Sequence, residues 1–185
     1  MTNRALTASA LVILLSLLAL PACITGSSAT DWAFGEALTV RVKEMRLVDE
    51  VAYSIEDNHY VIRPSQEGRM IAASRLELRN RQANVVFLSI DAQSARLRDA
   101  EFFDYRPLNP FQDRSEVAEE LSSDGNLLPF LWGDGIDAPA VELHETCDEA
   151  GSPCELVGWM FFEVPSEIEY YQFIWETADT IFMRF

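Results

Sequence analysis

The chain has 185 residues, of which 30 are acidic and 14 basic, giving a formal charge of −16 at neutral pH. Such a charge repels phosphate backbones and no Lys/Arg cluster offsets it, which excludes nucleic acid as a partner. Lys43 is the only lysine, so the chain can build neither a G-x-x-x-x-G-K-[ST] phosphate loop nor a Ser-x-x-Lys nucleophile pair.

The N-terminus has the order of an export signal: Met1–Arg4 with one positive charge, then apolar-biased Ala5–Leu20, then Pro21-Ala22-Cys23. A cysteine directly after the small residue resembles the bacterial lipoprotein signal, in which the thiol is lipidated and becomes the mature N-terminus. About 16 apolar residues also fall short of the roughly 20 that span a bilayer. We therefore expect residues 1–22 to be a signal peptide and Cys23 to carry a lipid. The protein should then be extracytoplasmic, anchored to the cell membrane or outer membrane. Thirteen basic residues against thirty acidic ones leave residues 23–185 at −17, so membrane association is expected from the lipid and not from the folded surface. Residues 23–34 are the lipidated cysteine and a short tether, whose eight-residue polar run, ITGSSATD, reaches under about 30 Å when extended.

From residue 35 onward the dominant period is two, the signature of strands. Leu38, Val40 and Val42 alternate with polar residues, and then Met45 and Leu47 take over the apolar phase. A slip of one residue inside a strand predicts a β-bulge, because otherwise the apolar set would swap faces. Val51, Tyr53 and Ile55 alternate again, and Asp57-Asn58-His59 suggests a hairpin turn with a solvated histidine. Met70, Ala72, Leu76 and Leu78 oppose Arg75, Glu77 and Arg79. Val85–Ile90 is apolar on both faces and predicts a buried central strand. Near the C-terminus Leu156, Met160, Phe162 and Val164 alternate, as do Tyr171, Phe173 and Trp175, and finally Ile181, Met183 and Phe185. Short strands punctuated by turn residues predict an all-β antiparallel sandwich over 35–185.

Residues 106–155 differ in character. They hold five of the eight prolines, four of the eight glycines and twelve acidic residues against Arg106 and Arg114. We read them as a long acidic loop insertion, with helical spacing only over Ser115–Leu121, and long excursions on a rigid scaffold are where binding concentrates. Cys147 and Cys154 flank a Gly151/Pro153 turn and, in an exported protein, predict a disulfide that contributes about 2–3 kcal/mol at most.

Three stretches resemble a bacterial immunoglobulin-like family, the telokin-like domain of small surface lipoproteins, whose function is unknown. They are Gly35–Val40, Pro64–Ala72 leading into Leu76–Asn80, and Gly158–Pro165 with its Phe-Glu-Val-Pro end. The resemblance implies an immunoglobulin-like sandwich and supplies no activity.

Candidate chemistry is sparse. His144 with Cys147, Cys154 and a glutamate would make a soft metal site, but an oxidising location favours the disulfide. Asp124 and Asn126 around one glycine, and Asp134 and Asp137 around another, offer oxygen ligands for calcium as the one candidate cofactor. Glycoside hydrolysis needs two carboxylates at a defined separation, which a chain with thirty of them cannot reveal. Phe111, Phe130 and Trp132 are candidate partner-contacting residues on the insertion; the competing reading is that such aromatics dock the insertion onto the sandwich. The expected function is a non-enzymatic, lipid-anchored module that binds a protein or an envelope component. A calcium-dependent binding domain and an envelope hydrolase are the alternatives.

Overall fold

The computed structural model describes residues 31–118, 125–130, 132, 141–146 and 153–185. The expected signal peptide, Cys23 and Cys147 lie outside them, as do Asp124, Asp134 and Asp137. The described chain is all β, with thirteen strands and no α-helix. It is an antiparallel sandwich built on one central sheet, in the order β1 (Ala33–Phe34), β2 (Leu38–Val48), β5 (Arg69–Asn80) and β11 (Glu155–Pro165). The sheet therefore begins inside what the sequence suggested was tether, since Ala33 pairs with Val40 and Phe34 with Thr39.

The phase flip in β2 is a bulge, as expected. Val42 pairs with Leu76 and Glu44 with Arg75, which leaves Lys43 as the extra residue. The bulge keeps Leu38, Val40, Val42 and Met45 in one core with Leu76 and Leu78 of β5. That core lies between the central sheet and two others. One has the order β13 (Ile181–Arg184), β12 (Tyr170–Trp175), β7 (Ala95–Asp99) and β8 (Asp104–Tyr105); the second pairs β10 (Val141–His144) with β6 (Val85–Leu88). Phe173, Trp175 and Phe162 are fully buried there. Each such side chain contributes about 1.5–3 kcal/mol through area removed from water.

Among the described residues, the other face of the central sheet is covered over half its length. A three-stranded sheet in the order β3 (Val51–Ile55), β4 (Asn58–Ile62), β9 (Ser115–Val117) lies over it. There Val51, Tyr53 and Ile62 meet Ile71, Ala73, Trp159 and Phe161 in a second core. β5 and β11 are thus apolar on both faces at one end, while their other end keeps the alternation of Arg75, Glu77 and Arg79.

Four expectations are corrected. Ser115–Val117 is a strand paired with β4 and not a helix start, because the edge of the β3–β4 hairpin needs backbone partners more than the residues favour helix. Val85–Leu88 is not central: among the described residues it pairs only with β10, and Phe87 points to solvent. The hairpin turn is Glu56-Asp57, with Glu56 in the left-handed region at φ 54°, so His59 falls inside β4 and half-buried. Its Nδ1 lies 2.8 Å from Ser54 Oγ. Residues 106–155 are not merely a loop, since they supply β9 and β10 and close the outer edge of β11. Leu108 donates its N–H to Phe161 O at 2.7 Å, Trp159 donates to Leu128 O at 3.1 Å, and Phe130 donates to Trp159 O at 3.3 Å.

Candidate functional site

The sandwich has two distinct ends, connected by β5. Its twelve residues span roughly 35 Å at about 3.3 Å per residue. Arg79 and Asn80 mark the end where the N-terminal segment enters, and Arg69 marks the opposite end.

At the Arg69 end, β7 stops at Asp99, whose carboxylate gathers the following turn. It accepts the N–H of Glu101 at 3.0 Å, the N–H of Phe103 at 2.9 Å and the phenol of Tyr105 at 2.7 Å. Three donors on one carboxylate force a tight reversal into β8, and Phe102 takes up the left-handed conformation at φ 68°. A bulky residue there costs about 1–3 kcal/mol, which the Asp99 contacts offset. The consequence is a pair of aromatics held out in solvent, with Phe102 64% and Phe103 60% exposed. Phe102 leans edge-on against Tyr171, with ring centroids 5.2 Å apart.

Beside this pair is a cleft of about 390 Å³ between the β7–β8 turn and the β11–β12 turn, lined by Glu101, Phe103, Tyr105, Glu167, Ile168 and Glu169. Ala100 N–H donates to Glu169 O at 3.0 Å and joins the two turns. Asp99 is committed to its donors, but Glu101, Glu167 and Glu169 have no ion-pair partner among the described residues. Burial, then the hydrogen bond to Asp99, pushes the Tyr105 phenol up to about 12. Burial alone does the same to Tyr170, whose hydroxyl has no hydrogen-bond partner among the described residues. The chemistry available is an aromatic, carboxylate-rimmed contact surface suited to a cationic or apolar group.

The residues singled out in the sequence go elsewhere. Phe130 is 1% exposed in the main core and Trp132 is buried with it. As partner contacts both are corrected: they dock the insertion, and a buried ring has no area to offer a partner. Phe111 is partly exposed, with the Arg114 guanidinium 5.0 Å from its ring centroid. Asn126 is no free oxygen ligand, because its Oδ1 accepts the Ser54 N–H at 3.1 Å. No cluster of three metal-ligating side chains occurs among the described residues. Around Cys154, His144 N–H donates to Pro153 O at 2.8 Å, which draws together the two flanks of residues 145–152.

At the opposite end, Trp32 lies on the half of the central sheet that no other layer covers among the described residues. The Arg41 guanidinium sits 4.4 Å and that of Arg79 4.6 Å from its ring centroid. Phe34, two residues on, is 67% exposed. The sequence signal for the aromatic cleft was the Phe-Phe-Asp-Tyr run over 102–105, but which rings face outward depends on Asp99, which composition does not reveal. No family model, no curated protein and no solved structure matches this chain.

Proposed function

We propose that this protein is a lipid-anchored, extracytoplasmic binding module without catalysis, one that engages a protein or envelope component through its Arg69 end. The observation that carries the reading is the opposition of the two ends. The segment leading back to Cys23 enters beside Arg79, while the exposed Phe102–Phe103 pair and its cleft lie roughly 35 Å away along β5. A tether at one end presents the other outward. Exposed aromatics are the usual energetic anchors of protein contacts, and the unpaired Glu101, Glu167 and Glu169 favour a partner surface that is locally cationic. This moves the contact from the insertion to the β7–β8 turn.

A Cys147–Cys154 disulfide belongs to the same reading, and the His144–Pro153 contact supports it by bringing the flanks of the ring close. The immunoglobulin-like assignment rests on the sequence motifs and is compatible with the antiparallel sandwich.

The test is site-specific photo-cross-linking in intact cells. A photoreactive side chain at Phe103 should yield one discrete adduct, identifiable by mass spectrometry, and the same probe at the exposed Phe87 should not. Equal adducts from both positions, or none from Phe103, would overturn the assignment.

A further inference from the structure

We infer that the half of the central sheet around Trp32, which no other described layer covers, is a face that rests on an anionic lipid surface. The inference builds on the lipid anchor at Cys23 proposed above.

Its composition departs from that of the rest of the molecule. In a chain of charge −16, this face carries Arg41, Lys43, Arg75 and Arg79 within five rungs of β2 and β5. Its carboxylates are all engaged: Glu77 by Arg41, Glu44 by Arg46 at 2.5 Å, and Glu155 by Arg79 at 3.2 Å. Among the described residues Lys43 and Arg75 have no such partner, which leaves their charge available; the exposed Asp31 and Glu36, on either side of β1, have no ion-pair partner either. Exposed Phe34 and Val157 and the half-buried Trp32 lie on the same side of the sheet, because Phe34 pairs with Thr39 and Val157 with Glu77. Aromatic rings interleaved with arginine and lysine suit the headgroup layer, where rings partition and cations meet phosphate.

Where the chain leads from this face selects the occupant. Only eight residues separate Cys23 from Trp32, so a lipid on Cys23 holds this face within about 30 Å of the bilayer. At that range even a few unpaired cations and rings decide orientation. The strongly acidic remainder, repelled by the same headgroups, turns outward with the Phe102–Phe103 end.

The experiment uses the full lipidated protein reconstituted in vesicles whose acyl chains carry bromine, a short-range quencher of indole fluorescence. Trp132, Trp159 and Trp175 are buried, so quenching reports on Trp32. In phosphatidylcholine vesicles containing phosphatidylglycerol, fluorescence should be quenched, and Trp32→Phe should abolish the quenching. Lys43→Gln and Arg75→Gln should each shift the docked-to-undocked ratio about fivefold toward undocked, from about 1 kcal/mol per basic residue. Should either variant fold poorly, added salt on the unmodified protein should release the face in the same way, by screening. Protein that floats with the vesicles but shows no Trp32 quenching, or equal quenching without anionic lipid, overturns the docked face and leaves the anchor standing. Protein that does not float overturns the anchor, and the inference with it.

Discussion

Replacing Phe130 by alanine tests directly whether residues 125–130 belong to the sandwich. The ring is 1% exposed and lies over Gly158 of β11, where an added Cβ would sit 2.7 Å from Phe130 Cδ1 and 3.0 Å from its backbone nitrogen. Truncation removes the ring and leaves a cavity against rigid strands, which costs about 3–5 kcal/mol in a well-packed core. For a domain of this size that is a melting-point loss on the order of 10 °C. The assay is urea and thermal unfolding followed by tryptophan fluorescence, with Gly158→Ala and the double variant completing a cycle. Gly158→Ala alone should cost about 1–3 kcal/mol by overpacking, and less once Phe130 is alanine, because the ring it strikes is gone. A loss below about 1 kcal/mol for Phe130→Ala, with additive effects in the cycle, would refute the docking of the insertion and reopen Phe130 as a partner contact.

Three further outcomes follow from the same structure. Asp179 accepts the N–H groups of Ala37 at 2.7 Å and Leu38 at 2.8 Å, so Asp179→Ala should destabilise by about 2–3 kcal/mol in chemical denaturation, whereas Asp179→Asn should recover part of the loss. The phenols of Tyr105 and Tyr170 are raised from 10.0 to about 12; a raised acid is neutral in the fold, so its contribution is complete below pH 10 and is lost as pH rises toward 12. Alkaline unfolding curves should steepen in that window, and less so in Tyr170→Phe, which also removes a hydroxyl that has no partner among the described residues. Deleting Lys43 removes the bulge yet leaves an unbroken alternation in which Val42, Met45 and Leu47 face the core and Glu44 and Arg46 face away. That variant should still unfold cooperatively by circular dichroism and fluorescence, whereas inserting one alanine after Met45 should turn Leu47 outward and abolish cooperative folding.

What was legible in the sequence was whatever depends on near neighbours. The period of two and its one-residue slip at Lys43 were enough to predict both the sandwich and its bulge, because a strand that changes face without a bulge would bury Glu44 and Arg46. What depends on distant partners was not legible. Val85–Leu88 looks like a central strand by its apolar run, yet its place is decided by β10, more than fifty residues on. Ser115–Val117 carries a helical spacing that yields to the unpaired edge of β4. The aromatic runs at 102–105 and 130–132 are alike in composition and opposite in fate. Phe130 finds a glycine to pack on, whereas Phe102 and Phe103 are pushed out by a carboxylate that captures the backbone beneath them. Polar capture of backbone by Asp99 and Asp179 shapes both ends of the fold, and single-residue periodicity carries no trace of it.

The one lysine of the chain occupies the bulge of a strand that, beyond Val40, has no strand paired on its outer side among the described residues. Open edges invite pairing with other chains, and a bulge with an exposed lysine is a standard deterrent because it twists and charges the edge. The opposite edge of the same sheet is handled differently, by laying residues 107–108 and 128–130 of the insertion along β11. The two solutions have different consequences for the surface. Covering the β11 edge lays apolar, proline-containing chain along that side, while among the described residues the β2 edge stays open and carries Arg41 and Lys43 near Trp32. The cations on which the proposed lipid docking rests therefore sit at the one edge of the central sheet that charge and a bulge must protect from pairing with other chains. The same Lys43 that blocks edge pairing is free to meet a phosphate.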